Sequence, residues 1–295
     1  MLKGLGKGSC FFTEEGNTSL YHLDENNEFL LIIDCGESVF ERIRKYITNL
    51  NKVKKIYVMI SHLHSDHSGS LPSFIFYCKY ALNIKPIIIY PDGNRMKLFL
   101  KTISGVSDEF YELYSHQDDR VDFDDFSFVA KVQEHTDKLN AYYYLLEINK
   151  IRIYYSGDAM NLPILILKRF KEGFIDYIYQ DVTCYGENNR NWPHMHIDDL
   201  AEDIPIELRK KVFCMHFDNY ELIQKCKKLG FNVLETEEDF FKKAVEDIYK
   251  SLHLSTQEII ENRIESLISQ YKDQYSSILL YTLGLYCQKY FEKRG

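Results

Sequence analysis

The amino-acid sequence predicts an α/β protein whose His and Asp side chains gather at the ends of strands. Short apolar runs rich in β-branched residues, such as 29–33 and 56–60, alternate along the chain with segments of helical apolar spacing. Several of these runs end directly at His or Asp residues. Strands that alternate with helices favour a layered α/β architecture. A chain of 295 residues is long enough to fill it with a buried core.

The first half of the chain supplies strands and helices in turn. Turn residues at 14–17 divide residues 9–34 into a strand, a turn and two further strands. Apolar residues recur with helical spacing over 37–50 and 71–81, so we predict helices there. We also predict strands at 29–33, 56–60 and 86–90, and a helical and then acidic stretch over 95–120.

The second half continues this pattern and then changes character. Further strand-like runs lie at 126–132, 141–148, 151–155, 174–179 and 211–215. From residue 236 onward there is no Pro, apolar residues recur with helical spacing, and residues 255–258 have the form of a capping box. We predict a main domain at 1–235 and a helical extension at 236–295. Its apolar stripe packs on the main domain or on a second subunit, with a lid or a partner-recognition role as the alternative.

Composition and charge exclude some classes of function. The net charge is −8 and the pI is near 5.7, whereas non-specific binding of nucleic acid needs clustered Lys and Arg. We therefore expect no extended nucleic-acid surface, although a small phosphate-bearing substrate is compatible with this charge.

The cysteines and the apolar runs bear on the cellular compartment. Seven cysteines are scattered without a CxxC pair, which is typical of reduced thiols in a cytosolic protein. The chain has no apolar run of about eighteen residues, and residues 1–6 lack the apolar core of a secretory signal. We predict a cytoplasmic protein without a membrane span.

The most informative stretch is 62–67, His-Leu-His-Ser-Asp-His, which follows the predicted strand 56–60. Four of its six residues can bind a metal, and a rigid strand end would hold them in place. Three imidazoles and a carboxylate suit a borderline divalent ion such as Zn²⁺, with Fe²⁺ or Mn²⁺ as alternatives. The competing interpretation is a polar loop that is histidine-rich by chance.

Three further candidate ligands decide between these interpretations. His135, Asp158 and His216 each follow a strand-like run, as the first cluster does. If these strands are neighbours with their ends on one side, all these side chains converge at a single rim. The sequence therefore predicts a metal site.

Taken in order, four motifs resemble those of the metallo-β-lactamase-fold hydrolase superfamily. They are His62-x-His64-x-Asp66-His67, then His135, then Ser156-Gly157-Asp158, and finally Met215-His216-Phe217. The resemblance spans residues 9 to about 235 and implies a four-layered αββα sandwich with the metals at one edge. It also implies two metal ions, one held by His62, His64 and His135, the second held by Asp66, His67 and His216, and a bridge at Asp158.

Two divalent ions roughly 3.5–4 Å apart share and activate a water, which gives a bridging hydroxide as the nucleophile. The neutral imidazoles need acceptors for their other nitrogen, and Asp34 and Asp181 are candidates. Asp34 is alternatively a catalytic carboxylate or a residue that ties down its loop. Asn17 and Thr18 lie in a segment that resembles a family turn near the metals, so they are weak candidates for substrate contact.

The segment 193–200 suggests a branch of the superfamily. In phosphodiesterases similar to ribonuclease Z, a non-ligand histidine followed by an acidic pair protonates or stabilises the leaving oxygen. The resemblance places His194 at that histidine and Asp198-Asp199 at the pair, so the expected catalytic residues are Asp66 and His194. His196 is a near rival, and both histidines are alternatively part of a cap for the helix that starts near Asp198.

The leading hypothesis is a dinuclear metal phosphodiesterase that acts on a small phosphodiester, a cyclic nucleotide or a short nucleic acid. Ribonuclease Z relatives that process tRNA carry a long Gly- and Pro-rich arm, which this sequence lacks. The second hypothesis is an ester, thioester or lactone hydrolase on the same metal site. The third is a protein-interaction module whose metal site is structural. A homodimer is compatible with each of them.

Overall fold

The structure is a computed structural model that describes residues 2–136, 138–186 and 192–243. Two β-sheets stack face to face, and helices cover the outer face of each sheet. This arrangement confirms the αββα sandwich that the sequence predicts.

The first sheet has six strands in chain order, antiparallel from β1 to β3 and parallel from β3 to β6. Its strands are β1 (Lys3–Gly6), β2 (Ser19–Leu23), β3 (Phe29–Ile33), β4 (Lys55–Met59), β5 (Ile87–Ile89) and β6 (Glu112–Tyr114). The first strand therefore precedes the range 9–34 in which we expected it.

The second sheet has seven strands in the reverse of chain order, antiparallel from β7 to β10 and parallel from β10 to β13. Its strands are β7 (Val121–Asp122), β8 (Ser127–Thr136), β9 (Leu139–Ile148), β10 (Ile151–Tyr155), β11 (Tyr177–Asp181), β12 (Val212–Met215) and β13 (Asn232–Val233). Strands β6, β7 and β13 have two or three residues each, which is too short for a periodic signal.

The α-helices connect the parallel strands and flank the sheets. They are α1 (Val39–Tyr46), α2 (Ser65–Ser68), α3 (Leu71–Tyr77), α4 (Gly93–Lys97), α5 (Ile164–Lys171), α6 (Ile197–Asp203) and α7 (Tyr220–Lys228). Single π-helical turns extend α3 and α4 at Cys78–Leu82 and Leu98–Ile103, and 3₁₀ turns lie at Thr13–Glu15, Leu50–Lys52 and Ile206–Lys211.

Alternation along the central strands builds the core. In β9, Tyr142 and Tyr144 belong to the apolar layer between the sheets, whereas Tyr143 belongs to the layer under α5, α6 and α7. All five residues of β3 are buried because this strand is covered on both faces. The central strands of the sandwich are therefore held by packing on both faces.

The parallel strands of both sheets run so that their carboxyl ends meet at one edge. Asp34 follows β3, stretch 62–67 follows β4, and Asp158, Asp181 and His216 lie at the ends of β10, β11 and β12. Carboxyl ends of parallel strands are where α/β folds place their functional groups. The candidate residues therefore share this edge.

Partly buried ion pairs connect residues 237–243, which are helical, to Lys7 after β1 and to Arg42 in α1. The Lys7 ammonium lies 2.7 Å from the Asp239 carboxylate and 3.1 Å from that of Glu15. Arg42 lies 2.7 Å from Glu238. The rest of the predicted helical extension, including the capping box at 255–258, lies outside the described residues. The boundary at 235 stays a prediction.

Two further observations concern the predictions from composition. Six cysteines lie in the part of the chain that the structure describes, and all six are free thiols. In the same ranges, no helix has the length and apolar character needed to cross a bilayer.

We expect Lys7→Met to lower the free energy of unfolding by about 1–3 kcal/mol, because it leaves two carboxylates without their cation. The loss is smaller than the roughly 3–5 kcal/mol of a fully buried pair, since the side chain of Asp239 is 31% exposed. Urea unfolding measures the change. The matched control is Lys54→Met, which removes an exposed pair with Glu28 and should change stability by about 0.5 kcal/mol or less. Equal effects of the two substitutions would contradict the expectation.

Candidate metal centre

One group of candidate ligands forms around the first two histidines of the motif. The donor atoms of His62, His64, His135 and Asp158 all lie within 4.8 Å of one another. His62 Nε2 is 2.9 Å from His64 Nδ1, and His135 Nε2 is 3.3 Å from the same atom. Three imidazole nitrogens therefore converge on one point.

A second group forms beside it around the last two residues of the motif. It contains Asp66, His67, His216 and again Asp158, also with donor atoms within 4.8 Å. His216 Nε2 is 3.3 Å from Asp66 Oδ2, and His67 Nε2 is 3.5 Å from the same oxygen. The structure thus brings together all seven ligands that the sequence predicts.

Asp158 lies between the two groups and turns one oxygen to each. Its Oδ2 is 3.7 Å from His62 Nε2 and from His135 Nε2. Its Oδ1 is 3.2 Å from His67 Nε2 and 3.4 Å from His216 Nε2. This is the position that a carboxylate needs to bridge two cations.

The residues present fit divalent cations. His67 Nε2 and Asp158 Oδ1 are buried and have no hydrogen-bond partner within the described residues. Buried polar atoms rarely lack a partner, and leaving one unsatisfied costs about 1–3 kcal/mol. A cation between these two atoms would satisfy both.

The electrostatics of the two groups also suit cations. Burial and neighbouring imidazoles lower the pKa of His62 well below its usual range, so this ring is neutral, as a ligand must be. Burial opposes charge on His67, but the carboxylates of Asp158 and Asp66 outweigh it and raise the pKa of His67 well above its ordinary value. The second group therefore demands positive charge.

Local backbone geometry sets the ligand loops close together. Asp34 and His216 adopt left-handed conformations, each with φ of 61°, which is uncommon for residues other than Gly. A Cβ on Gly36 would collide with the carbonyl oxygen of Asp66, so only Gly lets these two loops touch. Gly157 has φ of 58°, and a Cβ there would lie 2.7 Å from the Cβ of Ser61.

Asp34 ties down its loop and orients one ligand. Its carboxylate accepts hydrogen bonds from the backbone N–H of Ser61 at 2.6 Å and the hydroxyl of Tyr155 at 2.6 Å. The same carboxylate lies 2.9 Å from His67 Nδ1 and leaves Nε2 to face the ligand group. Of the alternatives for Asp34, the structure therefore supports an orienting and loop-stabilising residue.

Gln133 makes contacts near the ligand groups that the sequence does not predict. Its side-chain amide donates to the carbonyl oxygens of Ser156 and of Asp158, the second at 2.7 Å. Gln133 lies two residues before His135 on β8, so it joins the strand of one ligand to the loop of another. No local pattern marks a glutamine whose partners are more than twenty residues away.

His194 lies beside the two groups and is held by a carboxylate. Its Nδ1 is 2.9 Å from Asp181 Oδ2, and its ring stacks on that of His216 with centroids 4.8 Å apart. Burial disfavours its charged form, but Asp158 and Asp181 outweigh burial and raise the pKa of His194 to about 9. The sequence suggests Asp181 as the acceptor for a ligand imidazole. Its histidine partner is instead His194.

The structure separates the roles of His194 and His196. His196 is the N-cap of α6, where its Nδ1 accepts from the backbone N–H of Asp198 at 3.3 Å. The carboxylate of Asp198 lies 2.6 Å from the ammonium of Lys225. The capping interpretation therefore applies to His196, and the acidic partner of His194 is Asp181.

Asn17 and Thr18 are buried and hold the turn near the edge. Asn17 Oδ1 accepts from the backbone N–H of Ser38 at 2.8 Å, and the Thr18 hydroxyl donates to the carbonyl of Gly8 at 3.1 Å. Both side chains are engaged with the backbone, so the structure offers no support for the suggested substrate contact.

The two stacked sheets with a His and Asp cluster at one edge define a protein of the metallo-β-lactamase fold. The metallo-β-lactamase fold protein YhfI from Bacillus subtilis superposes with a TM-score of 0.60 at 14% identity, over 79% of this chain and 92% of its own. The short form of human tRNase Z superposes with a TM-score of 0.58 at 16% identity, over 80% and 96%.

A sequence comparison identifies the particular family. The profile described as Anti-Pycsar protein Apyc1 matches residues 1–241, and the chain belongs to this family. The Anti-Pycsar protein Apyc1 of Saccharibacillus brassicae is 25% identical over 232 residues, which cover 75% of this chain and 91% of that relative. Ribonuclease Z of Limosilactobacillus fermentum is 32% identical over 106 residues, which cover 36% and 33%.

We expect the purified protein to retain two equivalents of Zn²⁺ after loading and dialysis. Asp158→Ala should retain less than one equivalent, because both groups lose a ligand, whereas His216→Ala should retain about one. Plasma mass spectrometry gives the stoichiometry. The control is Asp119→Ala, which removes an exposed carboxylate and should leave two equivalents. Retention of two equivalents by Asp158→Ala would rule out a shared bridge.

Proposed function

We propose that this protein is a dinuclear metal-dependent phosphodiesterase that acts on small phosphodiesters, with cyclic nucleotides and short nucleic acids as the expected substrates. The observation that carries the proposal is the pair His194–Asp181 beside Asp158, the carboxylate common to both ligand groups. A thioester expels a thiolate, which is a better leaving group than an alkoxide and has less need of an acid at this place.

We assign the roles of the individual residues from their contacts. Two divalent cations, of which Zn²⁺ is the expected one and Mn²⁺ or Fe²⁺ the alternatives, would supply an activated water at neutral pH and polarise the phosphoryl oxygens. Asp66 and His216 are buried members of the second group, with His216 Nε2 3.3 Å from Asp66 Oδ2. Asp34 fixes the ring of His67 from behind.

His194 is placed to supply the proton that an alkoxide leaving group requires. The hydrogen bond of Nδ1–H to Asp181 fixes the ring orientation and directs Nε2 away from Asp181. Within the described residues, no hydrogen bond engages Nε2, and the side chain is 18% exposed. A histidine so placed can donate from Nε2 as the bond to the leaving oxygen breaks, and Asp181 stabilises the imidazolium before transfer.

Charge and the comparisons support a small substrate. A net charge of −8 disfavours an extended nucleic-acid surface. The ribonuclease Z match reaches only 33% of that relative, whereas the Anti-Pycsar protein of Saccharibacillus brassicae is covered over 91% of its length. Another superposed structure is that of a diphosphatase from the PhnP family, whose name also denotes hydrolysis at phosphorus.

A panel of substrates tests the reaction class. It contains bis(p-nitrophenyl) phosphate, purine and pyrimidine cyclic nucleotides, a lactone and a thioester, each offered to protein loaded with Zn²⁺ or Mn²⁺. We expect turnover of the phosphodiesters, with Asp66→Ala as the blank. If thioesters or lactones are hydrolysed and no phosphodiester is, the proposal fails.

We expect His194→Ala to lower kcat for phosphodiesters by about 10²–10⁴-fold, the usual contribution of a general acid, without changing the metal content. The matched control is His196→Ala. It removes the cap of α6 and should lower the free energy of unfolding by about 1 kcal/mol, while kcat stays within a few-fold of wild type. Equal kcat losses in both variants would show that the effect is not specific to His194 and would refute its assignment as the acid.

A further inference from the structure

Two exposed aromatic side chains lie on the loops that flank His194. Tyr185 follows β11, and Trp192 precedes Pro193 and His194. Tyr185 is 50% exposed and Trp192 is 37% exposed, and their ring centroids are 6.3 Å apart at an interplanar angle of 52°. Large aromatic side chains left in solvent at a functional edge are candidates for binding.

The loop with Trp192 is tied to the candidate metal centre. The carbonyl oxygen of Pro193 lies 2.9 Å from Nδ1 of His135, a predicted ligand. Because successive Cα atoms are about 3.8 Å apart, the Cα of Trp192 lies within about 7.5 Å of that of His194. Trp192 and His194 therefore share one short segment, and this segment contacts a candidate ligand.

The side chain of Trp192 packs against the backbone of Gly186. Gly186 has φ of 87°, and a Cβ there would lie 2.9 Å from both Cβ and Cγ of Trp192. The tryptophan therefore packs directly on the glycine backbone, and any side chain at 186 would push it away. The position of the ring is determined by this contact.

The Tyr185 ring is held equally firmly from the other side. Asn219 caps α7 through its side-chain oxygen and donates from Nδ2 to the Tyr185 hydroxyl at 3.3 Å. The backbone N–H of Tyr185 donates to the Thr183 hydroxyl, which donates in turn to the carboxylate of Asp218 at 2.7 Å. Each of the two exposed rings thus has a contact that restricts it, which lowers the cost of ordering it on binding.

We infer that Tyr185 and Trp192 form a stacking platform for the nucleobase of the substrate. The inference rests on the proposed function and assigns the residues that contact the base of a nucleotide substrate. Stacking on an aromatic face needs no specific donor or acceptor, because every base has a π-face. The phosphodiester then extends from the base toward His194 and the two ligand groups.

Trp192 is the one tryptophan in the 295-residue chain, so its fluorescence reports on this place alone. The experiment titrates the Zn²⁺-loaded protein with phosphorothioate analogues of a purine and a pyrimidine 3′,5′-cyclic nucleotide, which bind with little turnover. We expect saturable quenching with both analogues and none with ribose 5-phosphate or inorganic phosphate. Equal quenching by ribose 5-phosphate, or none by the nucleotides, would overturn the inference.

Substitutions measure the strength of the stack by calorimetry. Trp192→Ala should weaken binding of the cyclic nucleotide analogues about 5- to 100-fold, the range for loss of one base–aromatic stack, and Trp192→Phe should restore part of it. Affinity for ribose 5-phosphate should not change. Unchanged nucleotide affinity in Trp192→Ala, with metal content intact, would overturn the platform.

Gly186→Ala displaces the indole without removing it and should also weaken nucleotide binding. The matched control is Gly173→Ala, since Gly173 has φ of 79° and a Cβ added there would meet no described atom within 4 Å. Both substitutions strain a left-handed residue, but only the first touches Trp192. Equal losses of nucleotide affinity in the two variants would contradict a role for the contact between Gly186 and Trp192.

The outcomes also separate this inference from the proposed reaction. Base-dependent quenching in a protein that hydrolyses no phosphodiester would retain the platform and refute the reaction. Phosphodiester turnover with nucleotide affinity unchanged in Trp192→Ala would retain the reaction and refute the platform. A concentration-dependent dimer that Trp192→Ala abolishes, without any nucleotide effect, would assign the rings to a protein interface.

Discussion

A single buried carboxylate, that of Asp158, constrains the rest of this structure. It is 2% exposed, and its two oxygens face two different sets of imidazoles. An isolated carboxylate in such a place would carry a large desolvation penalty, so its neighbours must supply positive charge. The imidazoles around it lower its pKa well below the usual range, although burial acts in the opposite direction. A pair of divalent cations would meet the same demand.

Two further carboxylates do not belong to the two ligand groups but orient histidines that lie at or beside them. Asp34 orients His67, and Asp181 orients His194. Each lies at the end of a parallel strand, Asp34 after β3 and Asp181 in β11, and each is completely buried. Each sheet therefore positions one histidine in the same way. A rigid strand end holds a carboxylate, and the carboxylate fixes which imidazole nitrogen faces the centre.

The sequence predicts side chains that follow a recognisable local pattern, such as the end of an apolar strand. It does not predict contacts between residues that lie far apart along the chain. The seven candidate ligands follow apolar runs, so strand ends and residue chemistry were enough to find them. The histidine pair was ambiguous, because His194 and His196 are two residues apart in a loop. Only the structure shows that His196 caps α6 while His194 faces Asp181. Gln133 and Gly36 were missed, because their roles arise from contacts with loops far along the chain.

The arrangement of loops explains why the metal centre alone does not select a substrate. The candidate ligands come from strand ends that the sandwich core holds. Metal ions bound there would activate water for any electrophile that reaches them. The segments around 183–186 and 192–196 lie next to His194 and pair through the backbone of Thr183 with Met195 and Ile197. Their exposed rings depend on Gly186 and Asn219, neither of which is a candidate ligand. Changes in these segments can therefore move the exposed rings while the geometry around Asp158 is preserved.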